Sequence, residues 1–548
     1  MSRLDEIERR INERMAEIDR KINSVVGGGD TPAPQGGQRG FGSVTAPYPP
    51  NDASSRIQSF LAPLNPAFLR WKNEERGVLP SGCGLMPSPF DTSYFASLPS
   101  RGGQLRGTFE ARYDMRADGL LPPVRDQGAH GTCWAHAAIA SLETCIAKTT
   151  GEKIDLSENN MANLHGFFGY YNFGGNHNLA SAYLLRWDGP VLERDDPYGH
   201  AGASRAFPPV KHVQTIRWIP PMRDASDTEG IKLAVKTLGA VWVGYSHTND
   251  PAVLRRDTAA FYHGGKPPLP NHAVAVVGWD DRYPASNFAV PPPGDGAWIV
   301  RNSWGEKFGD AGYFYVSYHD STFARSTLNV AYCGTEPVDN YDDILQYDYL
   351  GLITALGNGE RGVAANIFQA HRDMSVEAAG FYVLAPGSTY RVSIRVGCEP
   401  GNPSSGTEAG VTTGGCEWAG YETVRLSSPV RVPSGTKFAV VVELTSPGLR
   451  TPFGVETWNP DSLGPAKVDA DEGQSFFLCE GQWLDMTVLP KPGESVRPGM
   501  LNNFCCKAYV KFDQEAARAW KRFCNKCGTY TYTESSTGGK CRKCGAWL

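Results

Sequence analysis

The sequence predicts a multidomain protein with an N-terminal coiled-coil helix, an α+β region, an antiparallel β-sandwich and a small cysteine-rich module. Three observations predict this order. Residues 107–335 combine one strong helical pattern with strand-like runs, residues 340–515 alternate apolar and polar side chains, and residues 516–548 hold two close cysteine pairs. At 548 residues, the chain has room for three or four domains of roughly 150 residues each.

The composition argues against several classes of partner. With 53 Lys and Arg against 58 Asp and Glu, the net charge of -5 provides no basic field for nucleic acid or an acidic membrane. Apolar runs such as Phe438–Val442 and Ala273–Val277 are far shorter than the roughly 20 residues of a membrane helix. The charged stretch Met1–Arg10 does not resemble a secretory signal, which favours a cytoplasmic location. The alternative is the cell surface, reached by a non-classical export route.

The first 106 residues are predicted to be three consecutive segments. Residues 2–26 repeat apolar side chains at spacings of three and four, which predicts a coiled coil and a homo-oligomer; the alternative is a helix docked on its own chain. Residues 27–43 are a Gly- and Pro-rich flexible linker. Residues 44–106 form either a surface wrap or an inhibitory prosegment, with one short helix near Asn65–Glu75. The apolar positions of the repeat are Leu4, Ile7, Ile11, Met15, Ile18, Ile22 and Val26.

The most informative segment surrounds Cys133. Gly128 and Gly131 predict a tight loop, and the apolar residues that follow Cys133 predict a helix that begins at this cysteine. Unpaired N–H groups at a helix N-terminus lower the pKa of a thiol, so Cys133 is a candidate nucleophile. A catalytic thiol also needs a base, a group that orients the base and donors for an oxyanion.

Two downstream motifs supply candidates for these partners. His272 opens an apolar strand, and Asn302-Ser-Trp304-Gly ends another. Together with Gln127, six residues before the Cys133-Trp pair, these motifs resemble the papain (C1) family of cysteine peptidases, and they occur in the order that the family has. The resemblance implies a two-lobe α+β peptidase domain over residues 107–335.

The resemblance also implies roles for single residues. Cys133 would be the nucleophile, paired as a thiolate with the His272 imidazolium. Asn302 would orient that imidazole, and Trp304 would shield their contact from water. Gln127 and the backbone N–H of Cys133 would form the oxyanion hole. The implied reaction is hydrolysis of a polypeptide through a thioester acyl-enzyme.

Further matches and departures accompany these motifs. Gly174 and Gly175 lie where the family's glycine pair binds the substrate backbone, a contact that requires absent side chains. His130 and His136 flank the nucleophile where the family has other residues, and His136 is placed to perturb the pKa of Cys133 or to compete as a base. The family's prosegment signature is not recognisable upstream.

The region 340–515 has the period of a half-buried sheet. Tyr390, Val392, Ile394 and Val396 alternate with polar residues, and Phe438–Leu444 is predicted to be a buried strand. The pattern resembles the lectin-like β domain that follows papain-type domains in some prokaryotic surface peptidases. That resemblance implies a carbohydrate partner for exposed Trp and Tyr side chains, although the same aromatic residues also suit a core.

The C-terminal module contains two C-x2-C-G turns that are 13 residues apart. Four thiolates presented by such turns suit a closed tetrahedral site, so the sequence predicts a zinc ribbon with a structural zinc ion. The alternative is a pair of disulfides. A zinc thiolate site favours a reducing compartment, whereas a disulfide between Cys398 and Cys416 would favour an oxidising one. The four predicted ligands are Cys524, Cys527, Cys541 and Cys544.

These patterns together predict a cysteine peptidase, specifically an endopeptidase, with accessory modules and no cofactor for catalysis. Two alternatives stay open from the sequence. In one, the papain-like body is catalytically silent and the accessory modules make a scaffold or a binding protein. In the other, the acyl group passes to an amine, and the protein is a transferase.

Overall fold

The structure is a computed structural model. The predicted coiled coil and linker lie outside the described residues, as do Cys527, Cys541 and Cys544 of the predicted zinc ribbon. Within the described ranges, no helix combines the length and apolar character needed to cross a membrane. The residues described are 57, 59–73, 80–96, 98, 109–167, 171–199, 204, 206–266, 269–325, 328–457, 470–487, 502–513, 520–524 and 529–533.

The order of elements follows the predicted change from mixed to all-β structure. The described helices are α1 (Pro66–Asn73), α2 (Cys133–Thr150), α3 (Glu158–Leu164), α4 (His177–Leu185) and α5 (Glu229–Thr237). The strands up to residue 336 are β1 (Arg112–Asp114), β2 (His212–Ile219), β3 (Val241–Tyr245), β4 (Leu254–Arg255), β5 (Ala260–Phe261), β6 (His272–Asp280), β7 (Ala297–Arg301), β8 (Tyr313–Ser317) and β9 (Asn329–Glu336). The later strands are β10 (Asp343–Leu345), β11 (Thr354–Leu356), β12 (Arg361–Gln369), β13 (Met374–Val383), β14 (Ser388–Val396), β15 (Thr407–Cys416), β16 (Ala419–Val432), β17 (Lys437–Thr445), β18 (Phe453–Thr457), β19 (Ser475–Cys479), β20 (Gln482–Asp485), β21 (Asn502–Phe504), β22 (Cys506–Phe512), β23 (Trp520–Cys524) and β24 (Thr529–Thr533).

Helix α2 is the central element of the α+β region. The predicted start at Cys133 is confirmed, and the helix ends at Gly151, which has a left-handed φ of 74°. Apolar residues surround most of the helix, so it is buried on nearly all sides. Hydrogen bonds also fix it to the sheet: Ser141 Oγ donates to the Ala240 carbonyl at 2.6 Å, and Trp242 Nε1 donates to the Trp134 carbonyl at 3.1 Å.

The sheet behind α2 contains the strands that the sequence predicted. β6, β7 and β8 are successive antiparallel neighbours, and β3 pairs with β6 on its other edge. As the two motifs predicted, β6 begins at His272 and β7 ends at Arg301, directly before Asn302. Because β6 begins where β7 ends, their antiparallel pairing brings His272 and Asn302 to the same edge of the sheet.

The later region contains antiparallel sheets packed around one apolar core, as its period predicted. One sheet has the order β15-β14-β17-β12-β19-β20, and its buried side chains pack against those of β13, β16 and β22. Val392 and Ile394 of β14 are buried, as are Phe438 and Val440 of β17. This arrangement is a β-sandwich.

The disulfide considered between Cys398 and Cys416 is wrong, because both are free thiols. In the β14–β15 ladder, Cys416 pairs with Ser388, whereas Cys398 follows the opposite end of β14. The intervening strand separates them by about 25 Å. Disulfides need Cα atoms within about 7 Å, so the fold excludes this bridge.

The sandwich and the α+β region share one continuous sheet, which the sequence did not predict. β16 pairs with β2, with Ala419 opposite Trp218 and Tyr421 opposite Ile216. Gly420 lies at this junction with a φ of 135°, and a Cβ atom there would lie 1.9 Å from the Ile216 carbonyl oxygen. Backbone hydrogen bonds and a shared core therefore connect the two regions.

Part of the segment 44–106 packs across both regions. On the sandwich side, the Ala62 N–H donates to the Ala355 carbonyl at 2.7 Å. On the α+β side, Phe68 and Phe90 are buried, and the Phe90 ring lies 5.7 Å from that of Trp218. Tyr94 then donates to the Leu384 carbonyl at 2.7 Å. The predicted helix near residues 65–75 is present as α1.

We expect Gly420→Ala to destabilise the chain by at least about 2 kcal/mol, because the new Cβ would collide with backbone at the shared sheet. Gly435→Ala is the matched control, since Gly435 also has a positive φ of 78° but a Cβ added there would meet no atom within 4 Å. It should cost only about 1 kcal/mol of left-handed strain. Denaturant unfolding of both variants measures the difference, and equal losses would contradict the close approach.

Candidate active site

The Cys133 thiol lies at the first turn of α2, in a fully buried crevice. Backbone N–H groups of Trp134, Gly84 and Ala273 point toward its sulfur and favour the thiolate. Ala273 directly follows His272, so the start of β6 lies against the N-terminus of α2. The fold thus places the predicted nucleophile beside the predicted base.

The side chain of Asn302 determines which nitrogen of His272 carries the proton. Asn302 Oδ1 lies 2.8 Å from His272 Nε2, and it also accepts the Ser303 N–H at 2.9 Å. Because this oxygen is an acceptor, Nε2 is the donor, and Nδ1 of the neutral ring keeps its lone pair. Nδ1 is buried and has no hydrogen-bond partner among the described residues. The neutral imidazole is therefore in the tautomer that accepts a proton at Nδ1.

Trp304 and Gln127 complete the predicted group. The Trp304 indole stacks on the His272 ring with centroids 4.4 Å apart and planes 20° apart. The contact shields one face of the imidazole from water. Gln127 is fully buried; its Oε1 accepts the Ser303 hydroxyl at 2.6 Å, and its Nε2 donates to the His130 carbonyl at 2.5 Å. These bonds fix the Gln127 amide next to the loop that carries Cys133.

A segment from the upstream region fills the crevice. The Gly175 N–H donates to the Gly84 carbonyl at 2.8 Å, and the Met86 N–H donates to the Gly175 carbonyl at 2.9 Å. On the opposite wall, the Leu85 N–H donates to the Asn271 carbonyl at 3.0 Å. The predicted substrate-binding Gly174 and Gly175 therefore face extended backbone, here supplied by the chain itself.

The fit of this segment depends on glycine. A Cβ atom on Gly84 would lie 1.9 Å from the Gly131 carbonyl oxygen, and one on Gly174 would lie 2.6 Å from the Gly84 carbonyl oxygen. At the other end, Trp304 Nε1 donates to the Gly82 carbonyl at 3.1 Å. No sequence motif placed residues 80–90 in the site; the pair Gly82 and Gly84 was the signal that could have done so.

In this covered arrangement, burial opposes both charges of the predicted ion pair. Burial raises the pKa of Cys133 to about 11, although neighbouring N–H groups act in the opposite direction. Burial lowers the pKa of His272 to about 3, and the nearby His247 and His136 lower it further, against the hydrogen bond with Asn302. The thiol and the imidazole are therefore both neutral at pH 7 while the segment covers them.

The two unexpected histidines have local hydrogen-bond partners. His136 Nδ1 lies 3.0 Å from the Thr132 carbonyl, and burial lowers the pKa of His136 to about 4, so this ring is neutral. His130 Nδ1 lies 2.7 Å from Asn172 Oδ1 on the loop before Gly174. His136 therefore affects the site through its influence on the pKa of His272.

The aromatic residues of the β domain are divided between core and surface. Tyr421 and Tyr509 are fully buried, and their hydroxyl groups lie 3.1 Å apart. Trp483 is half-buried and donates from Nε1 to Ser404 Oγ at 2.8 Å. Trp483 and Tyr390 are among the aromatic side chains of this domain that stay partly exposed.

Comparison with known proteins assigns both regions to families. Residues 109–334 match the family model of the papain family cysteine proteases, and residues 344–510 match that of a lectin-like domain. The chain therefore contains a papain-family peptidase domain followed by a lectin-like domain.

Particular relatives share one or both domains. The solved cysteine protease and lectin-like domains of Cwp84, a surface layer associated protein of Clostridium difficile, are 25% identical, with a TM-score of 0.68 over 83% of this chain and 98% of that chain. A second Cwp84 structure, determined after propeptide cleavage, is 27% identical, with a TM-score of 0.64 over 74% of this chain and 100% of that one.

Two curated plant relatives each match part of this chain. The pro-cathepsin H of Medicago truncatula is 29% identical over 42% of this chain and 61% of its own length. The oryzain gamma chain of Oryza sativa subsp. japonica is 30% identical over 41% of this chain and 58% of its own length. The match thus spans about three fifths of each relative.

We expect Gly84→Ala to open the crevice, because its Cβ cannot fit against Gly131. A loss of about 1.4 kcal/mol in docking would raise the open fraction, and the alkylation rate of Cys133, about tenfold. Peptide mass spectrometry after a neutral alkylating reagent measures that rate. Gly359→Ala is the control, since Gly359, like Gly84, has no left-handed φ, and a Cβ added there would meet nothing nearer than 4.0 Å. An unchanged rate in Gly84→Ala would contradict the docking described here.

Proposed function

We propose that the protein is a cysteine peptidase in a latent form, in which residues 80–90 occupy the substrate crevice. The observation that carries the proposal is the meeting of Cys133, His272 and Asn302 in one buried crevice, with a glycine wall that pairs with extended backbone. The family match of residues 109–334 supports the same chemistry.

The proposed reaction begins when substrate replaces the segment. His272 Nδ1 takes the Cys133 proton, and the sulfur attacks the peptide carbonyl carbon to form a tetrahedral oxyanion. The Cys133 N–H and Gln127 would donate to that oxyanion. His272 then protonates the leaving amine, the C–N bond breaks, and a thioester remains. Water attacks the thioester with His272 as base, which releases the acid and restores the thiol.

The covered crevice explains why the segment would not itself be cleaved. The group of this segment that faces the Cys133 sulfur is the Gly84 N–H, a hydrogen-bond donor, rather than an electrophilic carbonyl carbon. The backbone bridge between Leu85 and Gly175 is parallel. Inhibition by occupancy is therefore the role that we assign to residues 80–90, and opening would return water to Cys133 and His272 and favour their charged forms.

Active-site labelling tests the enzymatic proposal. We expect a peptide-like electrophile to add once to Cys133 in the full chain carrying Gly84→Ala, and peptide hydrolysis to accompany this reactivity. His272→Ala should lower the labelling rate by at least about a hundredfold, because the proton acceptor is lost. Intact and peptide mass spectrometry locate the adduct.

Cys145→Ala is the matched control, because Cys145 lies on the same helix, is buried and has no contact with His272 among those described. It should keep full labelling, whereas Cys133→Ala should lose it. Adducts only at other cysteines, or none in an open and folded chain, would reject the peptidase and favour a silent scaffold. Transfer to added amines, seen as amide product by mass, would favour a transferase.

We also propose that the C-terminal module is a zinc ribbon. Cys524 ends β23, and its partner in the β23–β24 ladder is Thr529, so the four residues 525–528, which include Cys527, connect two antiparallel strands. A C-x2-C pair such as Cys524 and Cys527 is the kind of ligand pair that binds zinc in ribbons. Cys541 and Cys544 would supply the other two thiolates, and a bound ion would stabilise the module without entering catalysis.

We expect about one zinc per chain by elemental analysis of the purified protein. Cys527→Ser and Cys544→Ser should each lower the zinc content and expose thiols to a colourimetric reagent, whereas Cys398→Ser should not, since Cys398 belongs to the sandwich. A metal-free wild-type chain with two disulfides in residues 524–544 would overturn the zinc proposal.

Two further roles follow from the accessory regions. We infer self-association through residues 2–26 from their apolar repeat. We infer carbohydrate binding by the lectin-like domain from its family match, with Trp483 at a partly exposed edge of the sandwich.

A further inference from the structure

A second imidazole, that of His247, lies next to the proposed catalytic one. His247 follows β3 and is only 7% exposed. Its ring centroid lies 5.9 Å from that of His272 and 4.6 Å from that of Trp304, with the indole approached at 76°. The Trp304 indole is therefore held between two imidazoles, flat on one and edge-on to the other.

Hydrogen bonds fix His247 at both its ring and its backbone. The Tyr245 hydroxyl lies 2.9 Å from His247 Nδ1. Asn271 Oδ1 accepts the His247 N–H at 2.8 Å, and Asn271 Nδ2 donates to the His247 carbonyl at 3.1 Å. Asn271 directly precedes His272, so this reciprocal clamp connects His247 to the strand end that carries the base.

We propose that His247 is a positioning residue of this active site: its ring holds Trp304 over His272, and its clamped backbone fixes the start of β6. This inference rests on the proposed peptidase activity. In this role, His247 affects the orientation and the charge of His272 and does not contact the substrate. The sequence signal is weak, because His247 lies outside the motifs that resemble the family.

The charge state of His247 matters because of its neighbours. Burial lowers the pKa of His247 to about 4, with Arg256 acting in the same direction and Asn249 in the opposite one. The other titratable groups facing it are Tyr245 and His272. At neutral pH the ring is uncharged and tolerates an imidazolium at His272. Below about pH 4 it gains a proton, and the second positive charge disfavours that imidazolium.

Steady-state kinetics with a fluorogenic peptide, in the full chain carrying Gly84→Ala, test the proposal. We expect His247→Ala to lower kcat by about ten- to a hundredfold with KM changed less than about threefold, because the misplaced group is the base. His247→Phe restores a ring against Trp304 and should recover most of kcat. Because Phe cannot be protonated, the acid limb of its pH–kcat profile should move to lower pH and become less steep.

His263→Phe is the matched control. His263 is a partly buried histidine whose Nδ1 lies 3.2 Å from Ser321 Oγ, without a described contact to His272 or Trp304. It should leave kcat and the acid limb unchanged. If His247→Ala fails to fold, the positioning role is tested by the shift of the acid limb in His247→Phe.

The outcomes distinguish failure of the peptidase proposal from failure of the positioning role of His247. An unlabelled, inactive parent chain rejects the peptidase itself. An active parent with normal kcat in His247→Ala, or with an unshifted acid limb in His247→Phe, rejects the positioning role and leaves the peptidase standing.

Discussion

The docking of helix α2 against the edge of β6 is the constraint on which this site depends. The helix contributes the proposed nucleophile at its first residue, and the strand contributes the proposed base at its first residue. The buried hydrogen bonds of Ser141 and Trp242 fix α2 against β3, which in turn pairs with β6. A shift of one helical turn would move Cys133 by about 5.4 Å and separate the thiol from the imidazole.

The burial that encloses Cys133 and His272 also disfavours the charged forms of both side chains. Full occlusion by residues 80–90 removes water from Cys133 and His272, and both groups consequently favour their neutral forms. Catalysis by a thiolate and an imidazolium requires that this desolvation be relieved. The proposed latency therefore has two physical components, namely steric occupancy of the glycine wall and suppression of the ion pair.

The β domain and the upstream segment are part of the same folded body as the peptidase domain. Strand pairing between β16 and β2 continues one sheet through both domains, and parts of residues 59–73 and 80–96 pack on each of them. The segment is therefore anchored at sites remote from the crevice. The part of the segment that pairs with Gly175 can therefore leave the crevice while the remote anchoring contacts stay formed, so the crevice can open stepwise.

The amino-acid sequence by itself determined the elements and the chemistry. The helix starting at Cys133, the strands around His272 and Asn302 and the period of Tyr390 to Val396 all follow from local patterns, because side-chain periodicity and helix-start signals act over a few residues. Only the tertiary structure decided that residues 80–90 enter the crevice, that His247 supports Trp304 and that two domains share a sheet. These contacts join residues that are far apart in sequence, and a glycine or a histidine pattern does not specify its distant partner. The exclusion of a Cys398–Cys416 bridge has the same reason, because strand pairing alone sets the distance between those thiols.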